Sequence, residues 1–308
     1  MVIPQVVSFS GGRTSAFMTL EVLKIHPSAE VIFMDTGAEH PKTYEFIRNF
    51  AKHFGVNITC LRVIPNRQMR RASGYQQLGI LEIGPDLEPW RRMLRKYGNP
   101  YVGGAFCTDR MKTVPFTKYC DEKYGKGNYE RWLGIRIDEP NRLGNRGPGF
   151  HYLADISEFE KQDVLDWWGE QPFDLGIQEH LGNCVFCIKK SLPKVALAMK
   201  DEPELANDFY SMLYESMWEY KRTKKFYPEK RDRYYGVNIS HEFTITHKQP
   251  VMFRGKNTMR SIIAIFDSTG RDELASRMTS MRQYDTGSCS ESCEAFSCQL
   301  GFNFEDAA

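Results

Sequence analysis

Residues 6–18 read VVSFSGGRTSAFM, and the order of residue types in this stretch decides the fold. An apolar run stops at Ser10-Gly11-Gly12, and a helical pattern starts directly after it. A strand feeding a helix through a glycine turn exposes backbone N–H groups and aims the positive end of the helix at the turn, so the loop favours an anion. Gly11 and Gly12 permit close approach, Ser10, Thr14 and Ser15 add hydroxyl donors, and Ser8 and Arg13 belong to the same expected anion site. The loop is neither G-x-x-x-x-G-K-[ST] nor G-x-G-x-x-G.

Outward from the loop, the pattern predicts a strand over residues 3–9, a helix over 14–25, a strand over 30–34, a helix over 42–54 and a strand over 57–64. This βαβαβ order implies an α/β fold, with a parallel twisted sheet and helices on both faces. From 65 to 100 the pattern weakens into short basic, glycine-containing pieces, readable as a mobile substrate loop or as a solvated insertion. A helix is expected over 109–124 and a buried strand over 129–137. A Gly/Pro/Asn/Arg-rich loop covers 141–149, and a further helix is expected to be capped by Ser157 with Glu160 closing a capping box. The division expected is a nucleotide-binding α/β domain over 1–190 and a mainly helical region with a Cys-rich tail over 191–308.

Charged residues make up 26% of the 308 positions and nearly cancel at +2, so no global field points to nucleic acid or a membrane. No apolar stretch approaches the roughly 20 residues that span a bilayer, and no signal-peptide pattern opens the chain, which leads to a cytoplasmic expectation. In a reducing compartment, eight cysteines suggest metal, cluster or redox roles for those that are closely spaced.

The second strand runs into FMDTGAEHPKTYEF, residues 33–46. Asp35 and Thr36 fall at the carboxyl end of the strand beside the first, where open α/β sheets bind nucleotides. SGGRTS resembles the pyrophosphate loop of the PP-loop ATP pyrophosphatases, and the second stretch resembles the F-x-D-T-G-x-x-x-x-E-T-Y-x-F signature of phosphoadenylylsulfate (PAPS) reductases, with Lys42 where Glu is usual. FCTDRMKTVPF (106–116) and GIRIDEPNR (134–142) are similar to the superfamily's C-x-x-x-x-K-x-x-P and G-x-R-x-[DE]-[ES]-x-x-R segments. The resemblance covers about residues 6–191. It implies an adenine nucleotide alpha hydrolase-like fold that binds ATP with Mg²⁺. The loop and Met34, Asp35, Thr36, Gly37, Gly134, Arg136 and Arg142 would hold the nucleotide, with Ser10, Lys112, Arg136 and Cys107 in catalytic roles.

GNCVFCIKKS places Cys184 and Cys187 in a C-x-x-C turn, suited to zinc, an iron–sulfur cluster or a redox disulfide. The tail supplies Cys289, Cys293 and Cys298. Sulfur-transfer relatives carry a [4Fe–4S] cluster, so the resemblance favours iron–sulfur over Zn²⁺. The expected ligands are Cys184, Cys187, Cys289 and Cys293, with Cys298 or Cys107 as substitutes. Cys60 and Cys120 read as packing residues.

The chain lacks the terminal E-C-G-[IL]-H of thioredoxin-dependent PAPS reductases, and Cys107 follows Phe106 rather than a second cysteine. The resemblance therefore implies an AMP-forming ATP pyrophosphatase that activates an oxygen for sulfur insertion, closest in style to the DNA phosphorothioation proteins. Its partners would be a cysteine desulfurase or other sulfur donor and DNA or tRNA, with a homodimer also compatible and no membrane. Basic residues over 67–96 and 221–233, interleaved with aromatics, suit nucleic acid or a solvated helix face equally. Sulfonucleotide reduction and a non-catalytic nucleotide-binding protein are the alternatives; Thr14, where many pyrophosphatases have Asp, keeps the last one open.

Overall fold

The computed structural model describes residues 2–66, 71–102, 105–144, 146–226 and 251–280. Its centre is a six-stranded sheet of β1 (Gln5–Phe9), β2 (Glu30–Asp35), β3 (Ile58–Ile64), β4 (Gly74–Leu78), β5 (Glu130–Leu133) and β6 (Phe150–Tyr152). The strand order is β4-β3-β2-β1-β5-β6, with every pairing parallel except β3 with β4. β1 is central, and the chain builds outward to β3 on one side before returning to place β5 on the other. That reversal creates a crevice beyond the carboxyl ends of β1 and β5, the place where open α/β sheets bind ligands.

Helices cover both faces. Val7, Phe9, Val31 and Phe33 pack into one cluster with α1 (Arg13–Ile25), α2 (Pro41–Phe54) and α6 (Lys161–Gly169). Val6, Ile32, Met34 and Leu61 point the other way, toward Phe116, Tyr119 and Cys120 of α4 (Val114–Tyr124). Burial on both faces is why β1 and β2 read as continuous apolar runs rather than alternating ones. α2 starts at Pro41 behind a His40 cap and stops at Gly55, whose φ of 67° an L side chain rarely adopts.

The C-terminal helices α7 (Leu192–Asp201), α8 (Pro203–Phe226), α9 (Met259–Ile265) and α10 (Arg271–Ser280) join the first cluster through Leu197, Met212, Ile262 and Leu274. The hydrophobic core is therefore continuous across residue 190.

Four expectations shift. Residues 65–100 hold edge strand β4 and helix α3 (Glu88–Tyr97); a short polar strand, GYQQL, gives no apolar alternation to read. The strand expected over 129–137 ends at Leu133, where Ile135 N–H turns back to the Leu133 carbonyl at 2.7 Å. The helix expected from Asp109 opens as a wide π-turn, Thr108–Thr113, before α4; Pro115 in the next turn donates no N–H, which loosens the ladder there. Ser157 does not cap α6. Its hydroxyl accepts from Phe159 N–H in a local turn, and Glu160 with Asp163 forms the capping box instead.

Candidate functional site

The glycine turn after β1 is held from within. Ser10 N–H donates to Ser15 Oγ at 3.1 Å, the two serine hydroxyls lie 2.8 Å apart, and Ser15 Oγ donates to the Gly12 carbonyl at 3.0 Å. Gly12 caps α1 without a side-chain bond, and the first turn of α1 holds no acidic residue, so its positive end keeps its field. Gly11 has φ +80°, and a Cβ there would meet Ile47 Cδ1 at 2.9 Å and Thr43 Cγ2 at 3.0 Å. The loop thus needs glycine for conformation and for room, as a phosphate cradle does.

Arg13 lines the same small pocket as Ser10–Gly12, and its guanidinium forms a two-point pair with Asp174 at 2.6 and 2.5 Å. The segment beginning at Asp174 passes over the turn, where Leu175, Ile177, Glu179 and Asn183 share a small pocket with Ser10–Gly12. Lys42 belongs to this roof too, donating to the Gly176 carbonyl at 3.4 Å.

Arg136 reaches the loop because β5 stops early. It is 4% exposed, and its Nη1 donates to Thr14 Oγ1 at 3.1 Å. Asp138 takes its Nε at 2.8 Å. Glu139 lies between Arg136, 3.7 Å away, and Arg142, 2.5 Å away. The G-x-R segment, from Gly134 onward, therefore arrives at the loop as two arginines organised by one buried carboxylate.

The Asp-Thr-Gly turn at the end of β2 is the second half. Asp35 is fully buried and accepts from Gly37 N–H at 2.8 Å, Tyr44 Oη at 3.0 Å and Arg62 Nη2 at 2.5 Å. Burial first, then the Glu39 carboxylate, raises its pKa above the usual range against the pull of Arg62. With these bonds made inside the chain, Asp35 shapes the turn. Ser8 and Met34 are buried strand residues beside it. Gly37, at φ +75°, lets the Asp86 backbone approach so closely that a Cβ would lie 1.8 Å from the Asp86 carbonyl oxygen.

Glu39 ties this turn to the cysteines. Thr36 Oγ1 donates to its carboxylate at 2.8 Å, the Tyr44 hydroxyl shared with Asp35 lies 3.0 Å away, and Lys112 Nζ lies 3.6 Å away. Cys184 Sγ is 3.6 Å from Thr36 Oγ1 and 4.0 Å from Glu39 Oε1, while Val185 N–H donates to the Ala38 carbonyl at 3.1 Å. Cys107, Cys184 and Cys187 line one pocket together with Lys112 and Thr36. The C-x-x-C turn is itself held by Lys190, whose buried ammonium donates to the carbonyls of His180 (2.7 Å), Cys184 (3.0 Å) and Val185 (2.9 Å).

With the loop, the turn and the arginines in place, comparison with known proteins becomes informative. Residues 4–145 match the phosphoadenosine phosphosulfate reductase domain. Over 305 residues, 97% of either chain, the sequence is 45% identical to the nin region protein ORF290 of Escherichia phage lambda. The chain belongs to the phosphoadenosine phosphosulfate reductase domain family. Two Methanocaldococcus jannaschii proteins share shorter stretches: MJ0973 is 32% identical over 106 residues (31% of this chain, 24% of that protein), and MJ0066 is 26% identical over 134 residues (43% and 23%).

As a member of this family the chain carries a nucleotide-binding PP-loop, and the structure divides the expected residues into two groups. Ser10, Gly11, Gly12, Thr14, Ser15 and Arg136 meet at the loop. Lys112 joins Cys107, Cys184 and Cys187 in a second pocket, which Thr36 also lines. Cys289, Cys293 and Cys298 lie outside the described residues. Among the described residues, no three His, Cys, Asp or Glu side chains are arranged to hold a metal ion, so the four-cysteine ligand set rests on the tail. Among the described residues, no helix is long and apolar enough to cross a membrane.

Sequence reading missed Glu39, Arg62, Glu139 and Asp174. Arg62 and Glu39 carried a signal: a guanidinium inside ITCLRVI and a carboxylate within MDTGAEH both need a buried partner. In the basic stretch over 67–96, residues 67–70 lie outside the described set. Lys96 is buried and donates to the Arg71 carbonyl at 2.9 Å, while Arg92 and Arg95 pair with Glu88. Tyr227, Tyr234 and Tyr235, and the basic residues from Lys230 to Arg233, lie outside the described residues.

Proposed function

We propose that the chain is an AMP-forming ATP pyrophosphatase that activates an oxygen, on DNA or tRNA, for replacement by sulfur. The observation that carries this reading is the backbone pairing of the C-x-x-C segment to the Asp-Thr-Gly turn: Val185 N–H to Ala38 O, with Cys184 beside Thr36 and Glu39. The turn that ends β2 is thus in direct contact with the segment that carries two of the thiols, which supports a nucleotide and a sulfur acting close together.

In this mechanism the Ser10–Ser15 loop binds the departing pyrophosphate through backbone N–H groups and the α1 terminus, and Arg136 supplies a fixed cation as charge accumulates there. Arg142 adds a second cation through their shared Glu139. Positioning and charge stabilisation dominate, so no strong general base is required. Mg²⁺ would accompany the triphosphate. A cysteine desulfurase or similar donor would deliver sulfur to the thiol pocket. Cys184, Cys187, Cys289 and Cys293, with Cys298 or Cys107 as substitutes, would be the ligands of a thiophilic centre, [4Fe–4S] or Zn²⁺, that holds sulfur near the activated oxygen.

The deciding experiment incubates the full chain with α-labelled ATP and Mg²⁺. AMP and pyrophosphate support the reading; unchanged ATP that stays bound supports a nucleotide-binding partner protein instead. The domain match favours one second reading, a sulfonucleotide reductase. Sulfite released from adenylylsulfate or its 3′-phosphate with a thiol donor, and no AMP from ATP, would establish it.

A further inference from the structure

The helices after residue 190 leave an apolar groove that neither the glycine loop nor the thiols use. α7, α8 and α9 enclose a cavity of about 420 Å³, within the size range of pockets that take a ligand. Met199, Met259 and Phe266 line it as buried apolar residues, with Tyr210 of α8 half-buried beside them. Ile263 of α9 lines it at 53% exposure, and Ile265 is equally exposed. A seven-residue helix that shows two isoleucines to solvent beside an open cavity is a surface that calls for cover. Lys200, Arg260 and Asp267 stand exposed at the same groove, so its charged rim is net positive.

We propose that this groove is the docking site of the chain's own tail, with Leu300, Phe302 and Phe304 as the side chains that enter it. Residues 281–308 lie outside the described residues, and sequence, charge and reach select them as the occupant. The tail is polar through TGSCSESCE (286–294) and then reads QLGFNFED (299–306), in which Leu300, Phe302 and Phe304 alternate with Gly301, Asn303 and Glu305. Period-two alternation gathers the three apolar side chains on one side of an extended segment, and burying that side removes their area from water. Glu305 and Asp306 follow Phe304 directly, opposite in sign to Lys200 and Arg260. α10 packs along α7 and ends at Ser280, so the tether starts from a neighbour of the groove. The 20 residues from Ser280 to Leu300 extend to at most roughly 70 Å, and tethering supplies an effective concentration of the order of 1 mM, so a modest intrinsic affinity fills the groove.

The groove also adjoins the thiol pocket. Ala206 and Tyr210 of α8 line the groove, while Phe209 of the same helix lines the pocket of Cys184 and Cys187. A helix is about 10–12 Å across, and the seven residues from Cys293 to Leu300 extend to roughly 24 Å. A docked tail end therefore keeps Cys289 and Cys293 within reach of Cys184 and Cys187. In this consequence the proposal rests on the sulfur-transfer reading and deepens it, by giving the tail cysteines an anchor; the docking itself needs no sulfur chemistry.

The test replaces Phe302 by photoreactive p-benzoylphenylalanine in the full chain, reduced, chelator-treated, dilute and without ATP. Irradiation should join position 302 to peptides within 196–210 or 259–267 of the same chain, as peptide mass spectrometry would show. Hydrogen exchange on the otherwise wild-type chain supplies a second measurement. Phe302→Ser combined with Phe304→Ser should speed exchange of the 259–267 peptide about tenfold or more, a factor that the burial of one Phe side chain is enough to give. Arg260→Glu should weaken the cross-link, and Glu305→Arg with Asp306→Arg in the same chain should restore part of it, a rescue that general damage to α9 would not yield. A cross-linked dimer would make the groove an interface between copies and overturn the proposal. Cross-links outside the groove, no cross-link at all, or exchange that the paired Ser substitutions leave unmoved overturn it too. Because metal and ATP are absent throughout, the result is read whether or not the chain forms AMP or holds a cluster, so failure of the sulfur-transfer reading stays distinguishable.

Discussion

Arg136 Nη1 donates to Thr14 Oγ1 at 3.1 Å, joining the segment after β5 to the first turn of α1 across 122 positions of chain. Thr14 is 1% exposed, so its hydroxyl serves as an internal acceptor that aims the guanidinium. A carboxylate at residue 14 would instead compete with Asp138 and Glu139 for the same guanidinium.

Substitution separates these roles. Thr14→Val keeps the shape and removes the acceptor, so ATP affinity should fall about fivefold, the value of one ordinary hydrogen bond. Arg136→Gln should lower AMP formation by about 10²-fold or more, in the range found for loss of one group that stabilises developing charge. Equilibrium binding and labelled-ATP turnover measure the two. Equal small effects of both substitutions on turnover would count against Arg136 as the cation of the loop.

Gly11→Ala tests the cradle. The new methyl must share space with Ile47 Cδ1 and Thr43 Cγ2 at about van der Waals overlap, on a backbone at φ +80°. The expected outcome is a stability loss of about 1–3 kcal/mol with nucleotide binding abolished, read by urea unfolding and by titration with ATP. Gly37→Ala should be worse for folding, because its methyl collides with the rigid Asp86 backbone rather than with side-chain ends.

The thiols divide by environment. Burial pushes Cys60 up to about 12, with Asp35 adding to the shift, and raises Cys120 further, so neither forms thiolate near neutral pH. Cys107, Cys184 and Cys187 are partly exposed on the pocket. Iodoacetamide applied to the reduced, chelator-treated native protein should modify these three well before Cys60 and Cys120, as peptide mass spectrometry would show. Early modification of Cys60 would mean that the β3 core opens more readily than its packing implies.

The sheet and loop were legible in the sequence because both obey local rules. Strand periodicity, the Gly11-Gly12 turn and the helix expected over 42–54 each depend on residues within a few positions of one another. The partners of the site obey no such rule. Arg13 meets Asp174, Arg62 meets Asp35, and Cys184 meets Thr36 across separations of 161, 27 and 148 residues. Arg136 shows the middle case: its identity was readable from G-x-R, but its reach toward Thr14 depends on β5 ending at Leu133, which the apolar run WLGI conceals.

Acid should loosen the roof over the loop through Glu179. Its carboxylate takes Lys161 at 2.8 Å and Lys194 at 2.9 Å while sharing the small pocket with Ser10–Gly12. Burial alone would raise its pKa, but the two ammonium partners outweigh burial and lower it from 4.5 to about 2. Because the folded value lies below the unfolded one, the stabilisation is fully present above 4.5 and is lost as pH falls from there toward 2. Glu179→Gln removes this dependence. Its deficit against the wild type should be full at neutral pH, shrink steadily below 4.5, and be nearly gone near 2, as followed by urea unfolding across the acid range. Because Lys161 and Glu179 are partly exposed, added salt should reduce the deficit at neutral pH without moving the window. A deficit that stays constant through the acid range would assign the Gln effect to packing and remove Glu179 as the acid-sensitive tie of the roof.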